Sequence, residues 1–245
     1  MANPTSAANP VMTDPGFLAL AAHELRQPLA AALGSSLALS DPDRRSRLDE
    51  GDERILLDII QRNLYRLDGL LGTIHAFGEI SKGRVATDPV LVPLFEVLYD
   101  AAESFGPLQA TMQIDVDCDR DLYISVDTSQ MQQVLSNLLG NAKKFSPPGS
   151  HITLEGRKEK DRIVITVRDE GPGIDEAERE KVFDIGISSD HARGLGLGLY
   201  VCQAIVVAHE GRIWVDGEPG EGARFNISLP VPRSWVTRRP RVPQS

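Results

Sequence analysis

The chain has 245 residues, with 26 Lys+Arg against 35 Asp+Glu for a formal net charge of -9, and 41% of its residues are hydrophobic. That composition excludes wholesale disorder and makes a poor general nucleic-acid binder, because phosphate binding runs on clustered cationic charge. No apolar run approaches the roughly 18 residues of a membrane span, so no membrane segment is expected, and the length allows one large domain or two modest ones.

The opening MANPTSAANP lacks a basic stretch followed by an apolar one, so it does not read as a secretory leader. Residues 1–14 read as a disordered lead-in. Residues 15–40 predict a helix on which Leu18, Ala22, Leu25, Leu29, Ala32, Leu33 and Ser36 share one arc. Ser40 to Asp52, with Pro42 and Gly51, predicts a turn. A second helix follows, on which Leu57, Ile60, Leu64, Leu67, Leu71 and Ile74 alternate steps of three and four, a heptad seam. Two long helices with one stripe each cannot bury both stripes as an isolated hairpin, whereas two hairpins pairing into a four-helix bundle can. A homodimer through residues 15–80 is therefore expected.

Beyond Gly83 the pattern changes. Leu94 to Phe105 predicts a helix, Met112 to Cys118 and Leu122 to Val126 predict strands, and Ser129 to Phe145 predicts a strong helix. Strands are expected at His151 to Glu155, Arg162 to Val167, Arg212 to Val215 and Ala223 to Leu229, with a helix near residues 196–209. Strands and helices mix without regular alternation, which argues for an α+β fold with helices on one face of a mixed sheet. Cys118 and Cys202 have no metal-ligand spacing and are expected as buried, reduced thiols in a cytoplasmic protein.

Three segments carry chemistry. In His23-Glu24-Leu25-Arg26-Gln27-Pro28 the helical projection turns His23 roughly 130° away from the apolar stripe and toward water, with Gln27 on the same face. An exposed imidazole can act as a nucleophile, with the adjacent Glu24 accepting a proton from the ring, and Pro28 is expected to distort the helix. Attack needs the neutral imidazole, so chemistry at this ring is expected to fall below about pH 6, and a flat rate from about pH 8 to 5 would contradict this. In Asn137-Leu138-Leu139-Gly140-Asn141-Ala142-Lys143-Lys144-Phe145 the two asparagines share a face and offer amide oxygens to a hard cation such as Mg²⁺. Two glycine clusters follow, Asp169-Glu170-Gly171-Pro172-Gly173 after a strand and Gly194-Leu195-Gly196-Leu197-Gly198 opening a helix. Glycines let a backbone approach a ligand closely, and a helix N-terminus offers N–H groups to phosphate. Neither cluster is a P-loop or a dinucleotide fingerprint.

Taken in this order, the segments resemble the sensor histidine kinase family of two-component signalling, from about residue 15 to 230. The resemblance implies a dimeric hairpin over residues 15–82 that forms a four-helix bundle, an ATP-binding α/β sandwich of the gyrase/chaperone/kinase (Bergerat) type over 83–230, and a tail at 231–245. It implies that His23 is the phosphoacceptor and Glu24 the general base. Asn141, supported by Asn137, would hold Mg²⁺ and ATP, Lys144 would touch phosphate, and Phe145 would line the adenine side. Asp169 would read the adenine amino group, with Gly171 and Gly173 beside it. Gly194, Leu195, Gly196, Leu197 and Gly198 would close on the phosphates under a lid at 184–193.

Phe183 matches the first Phe of the family's F box; the second is absent, and Gln27 stands where the family often has Thr or Asn. A response regulator receiver domain is the implied partner, docking near Ala30 and Ala31. Either a longer kinase or a partner protein would supply the input. The alternatives are a non-kinase ATPase of the same superfamily and a degenerate phosphotransfer or scaffold dimer; the first lacks the His23–Pro28 segment, and the second would not keep Asn141, Asp169 and the second glycine cluster.

Overall fold

The computed structural model describes residues 15–83, 85–105, 112–186 and 195–232. The lead-in 1–14, Gly194, most of the expected lid and the tail beyond 232 lie outside the described residues. By contacts the chain divides into two units, Met1–Arg84 with Ile185–Val201 and Val85–Asp184 with Cys202–Ser245.

In the first unit, α1 (Pro15–Ser40) and α3 (Glu50–Ser81) form the hairpin. The predicted turn is shorter than expected, because a one-turn helix, α2 (Pro42–Arg45), forms inside it. Asp41 caps α2, accepting from the N–H groups of Asp43 and Arg44, and Pro42 stands where a missing N–H costs nothing. Asp49 starts α3 with a reciprocal capping box: Asp52 N–H donates to Asp49 at 2.7 Å and Asp49 N–H to Asp52 at 3.2 Å. Glu50, Asp52 and Glu53 complement the positive end of the helix.

The face that α1 buries within one chain differs from the predicted arc. Ala21, Glu24, Pro28, Ala32 and Ser35 are buried, while Leu18, Leu29, Leu33 and Leu37 are 54–56% exposed. Small side chains let the two helices approach closely and leave the leucines on the outside. On α3 the heptad splits in the same way: Ile60, Leu67 and Ile74 are half-buried, and Leu57, Leu64 and Leu71 are exposed. Among the described residues no helix is long and apolar enough to cross a membrane.

In the second unit a five-stranded mixed sheet has the order β2-β4-β5-β7-β6, formed by β2 (Gln113–Cys118), β4 (His151–Glu159), β5 (Arg162–Arg168), β6 (Arg212–Asp216) and β7 (Arg224–Pro230). The β2–β4 pair is parallel and the rest are antiparallel. A strand that composition does not announce, β1 (Val90–Pro93), pairs antiparallel with β3 (Tyr123–Val126) in a separate ribbon. Its partner lies far along the chain, and four residues carry no usable period.

The core is closed by α4 (Leu94–Ser104) and α5 (Thr128–Phe145), and α6 (Gly198–Ala208) follows the second glycine cluster. α5 buries Met131, Val134, Leu135, Leu138, Leu139 and Ala142 against the sheet residues Ile152, Leu154, Ile163, Ile165 and Val167. The mixed α+β fold is therefore as expected.

The two thiols are free, but only Cys202 is buried; Cys118 is half-buried, because it closes an edge strand. Burial pushes Cys202 up to about 12, and burial together with Asp119 and Asp117 pushes Cys118 up to about 11. At pH 8 the thiolate fraction of Cys118 is on the order of one in a thousand. Native protein titrated with a chromogenic disulfide is expected to react slowly at Cys118 and at Cys202 only after unfolding. Rapid stoichiometric reaction of both would contradict this.

Candidate functional site

His23 sits on the outer face of α1, exposed, as its place in the helical period requires. Gln27, one turn on, brings its side-chain nitrogen to 3.1 Å from His23 Nε2. An amide nitrogen only donates, so in this contact Nε2 is the acceptor, which in a neutral ring leaves the proton on Nδ1.

The neighbour expected to serve that ring is elsewhere. Glu24 is 2% exposed and turns into the hairpin, where its carboxylate meets Arg66 of α3 at 3.4 Å. The reason is geometric: one residue along a helix is about 100° of rotation, so Glu24 and His23 cannot share a face. A base role for Glu24 would require its carboxylate to leave Arg66. Arg66→Ala would leave a buried carboxylate without its cation. Discounted for the half-exposed guanidinium, the hairpin is expected to lose about 1–2 kcal/mol, read as a lower melting temperature, and Arg66→Lys is expected to recover part of it.

In the second unit Asp127 caps α5, accepting from the N–H groups of Ser129 and Gln130 at 3.1 and 3.2 Å. Asn137, Asn141 and Lys144 are half-buried, on the flank that the apolar stripe of α5 leaves uncovered. Asn137 hydrogen-bonds the Cys202 thiol. Lys144 lies over the Phe145 ring, 4.8 Å from its centre, and Phe145 is 37% exposed.

Asp169, at the end of β5, is 4% exposed. Its Oδ1 accepts from Gly171 N–H at 2.8 Å and from Ala223 N–H at 3.0 Å. Burial pushes this carboxyl above the ordinary carboxylate range, and the two N–H groups only partly oppose that. Gly171 is buried, and Gly173 takes φ +75 with the Glu218 carbonyl 2.2 Å from where a Cβ would stand. Only glycine fits there. Pro172 accepts from Gly220 N–H at 2.7 Å. The first glycine loop is thus stitched to the turn 217–223. No expectation above touches that turn; its signal is the run Gly217-Glu218-Pro219-Gly220-Glu221-Gly222.

The second cluster belongs to the first unit. Leu195 and Leu197 are buried, Gly198 starts α6, and Gly196 takes φ +64 against the backbone of Gly186, whose N–H it accepts at 3.1 Å. Phe183 is buried in a single 3₁₀ turn. The donor chemistry fits the expected cation: the amide oxygen of Asn141 is hard, and Mg²⁺ usually takes one or two protein oxygens beside phosphate and water.

Residues 16–83 match the His Kinase A (phospho-acceptor) domain, and residues 126–233 match the family described as histidine kinase-, DNA gyrase B- and HSP90-like ATPase. The chain is 36% identical over 225 residues to the adaptive-response sensory kinase SasA of a Synechococcus strain, covering 88% of this chain and 59% of that protein. The chain thus spans about three-fifths of the length of that curated relative. A solved structure of the mycobacterial sensor histidine kinase MprB is 27% identical with a TM-score of 0.54, covering 58% of this chain and 97% of that one. The histidine kinase ThkA, solved in complex with the response regulator protein TrrA, shares the fold at 22% identity and a TM-score of 0.60, covering 92% of this chain and 63% of that one. With an exposed histidine on the first helix and an ATPase-type domain after it, the chain belongs to the sensor histidine kinase family and carries its catalytic core.

Proposed function

We propose that the chain is an ATP-dependent protein-histidine kinase that phosphorylates its own His23 and passes the phosphoryl group to an aspartate of a response regulator. The observation that carries this reading is the water-facing His23 on the first helix, with the Gln27 amide nitrogen 3.1 Å from its Nε2. In the transfer, Nε2 bonds the γ-phosphorus as the bond from that phosphorus to the bridging oxygen breaks, and ADP leaves with the electron pair. Gln27 must first release Nε2. The positive charge on the ring is relieved as the Nδ1 proton passes to the water that the exposed ring faces.

Asp169 would accept the adenine amino group and Phe145 would flank the base. Lys144, Gly196 and Gly198 would meet the phosphates. Asn141 with Asn137 would hold Mg²⁺, which when bound neutralises charge developing on the transferred group. The domain boundaries proposed are 15–82 for the phosphotransfer hairpin and 83–230 for the ATP-binding domain. The experiment is incubation with Mg-ATP labelled at the γ-phosphate: label that is acid-labile and base-stable is expected, whereas steady ATP hydrolysis with no such label would make the protein an ATPase.

We also propose a homodimer through residues 15–80. Leu29, Leu33, Leu57, Leu64 and Leu71 are each more than half exposed in a single chain, and burying each would gain about 1.5–3 kcal/mol. Leu64→Asp is expected to turn a dimer into a monomer by sedimentation velocity; a dimer that survives Leu29→Asp with Leu64→Asp would overturn that interface. The exposed Ala30 and Ala31 on α1 leave room for the receiver domain. ThkA, similar in fold, is solved in complex with a response regulator protein.

A further inference from the structure

His209 is not used by the mechanism above, yet it is 7% exposed and fully engaged. It lies just past the end of α6. Its Nδ1 is 2.8 Å from the Ile205 carbonyl of the last turn, and its Nε2 is 2.9 Å from the backbone N–H of Asp127. The two contacts require one tautomer: Nδ1 donates to a carbonyl, which can only accept, so Nε2 accepts from Asp127.

Asp127 is the N-cap of α5, and its carboxylate also takes the Asp88 N–H at 3.3 Å. Seven residues back along α6, the Cys202 thiol lies 3.8 Å from the Val134 carbonyl and is hydrogen-bonded by Asn137. From Cys202 on, α6 therefore runs antiparallel to α5. Polar rungs tie the two at both levels, the lower at the cap of α5 and the upper at the turn that carries Asn137.

We propose that His209 is a positioning residue for the nucleotide site, its Nε2 seating the first turn of the helix that carries Asn137 and Asn141. A helix moves nearly as a rigid body, so an error at its N-cap is carried to residues three and four turns along. The inference rests on the ATP-binding role of those asparagines.

Two substitutions separate the two ring contacts. His209→Asn places a donor near the position of Nδ1, keeping the contact to Ile205, but has no atom at the position of Nε2. His209→Gln reaches the position of Nε2 with a carbonyl oxygen and restores an acceptor for Asp127. In equilibrium binding and steady-state labelling with Mg-ATP, His209→Asn is expected to raise Kd and KM about tenfold with kcat unchanged, the change equivalent to one hydrogen bond. His209→Gln is expected to stay within about twofold of the wild type. The proposal is overturned if the two variants bind Mg-ATP alike, whether both as well as wild type or both as weakly. It is also overturned if His209→Asn lowers kcat with KM unchanged. A wild-type chain that fails to bind Mg-ATP would instead remove the nucleotide reading beneath it.

Discussion

Replacing His23 by alanine is expected to reduce γ-phosphate labelling of the protein to background while leaving the affinity for Mg-ATP within about twofold of wild type, because in the proposed reaction the affected atom is the acceptor and not a nucleotide contact. The separation follows from position. His23 lies on the exposed face of α1 and makes its described side-chain contact with Gln27, so its loss removes no packing from the hairpin. Melting temperature should move little. Gln27→Ala is the companion measurement: it removes the amide that occupies the attacking nitrogen without touching the ring, so labelling should persist. Label that survives on His23→Ala would move the acceptor to another side chain.

A second large effect is expected at Asp169, where Asn should abolish measurable nucleotide binding without unfolding the domain. The amide keeps an oxygen where Oδ1 accepts from Gly171 and Ala223, so the glycine loop stays in place. What it would lose at the proposed adenine contact is a charge and an acceptor: an NH₂ group would then face the adenine amine, donor against donor. Loss of a charge-assisted hydrogen bond at a buried site corresponds to roughly two orders of magnitude in Kd.

The stability effect has the opposite sign. Burial raises the Asp169 carboxyl above its unfolded value, so the native state binds a proton there more tightly than the unfolded chain does. Its contribution is most favourable at low pH and is lost as pH rises from the ordinary carboxylate range through the raised folded value. Asp169→Asn removes that loss and should melt at or above the wild-type temperature at pH 7. An Asn variant that binds Mg-ATP like wild type would take the adenine role away from Asp169; one that melts well below wild type would mean the charge itself holds the loop.

Local periodicity was enough to read much of this molecule from its residues. The exposure of His23, the asparagine face of α5 and most strand positions follow from rotation per residue and from alternation, properties of a few neighbouring side chains. The stripe on α1 shows where that reasoning stops. Rotation identified a leucine face correctly, but the face that a single chain buries is the small-residue one through Ala21, Glu24, Pro28, Ala32 and Ser35, because packing between helices selects for close approach.

Tertiary structure decided the partners of the polar groups. Glu24 meets Arg66 across 42 residues, Asp169 meets the N–H of Ala223 across 54, and His209 meets the N–H of Asp127 across 82. The strand β1 likewise exists only because β3 supplies its ladder. A buried donor or acceptor must find a partner wherever the fold brings one, and no pattern within a window of neighbouring residues encodes which one that is. The sequence by itself determined which residue types could do the chemistry and on which local face each lies, whereas the folded chain alone determined which of them are held in place, and by what.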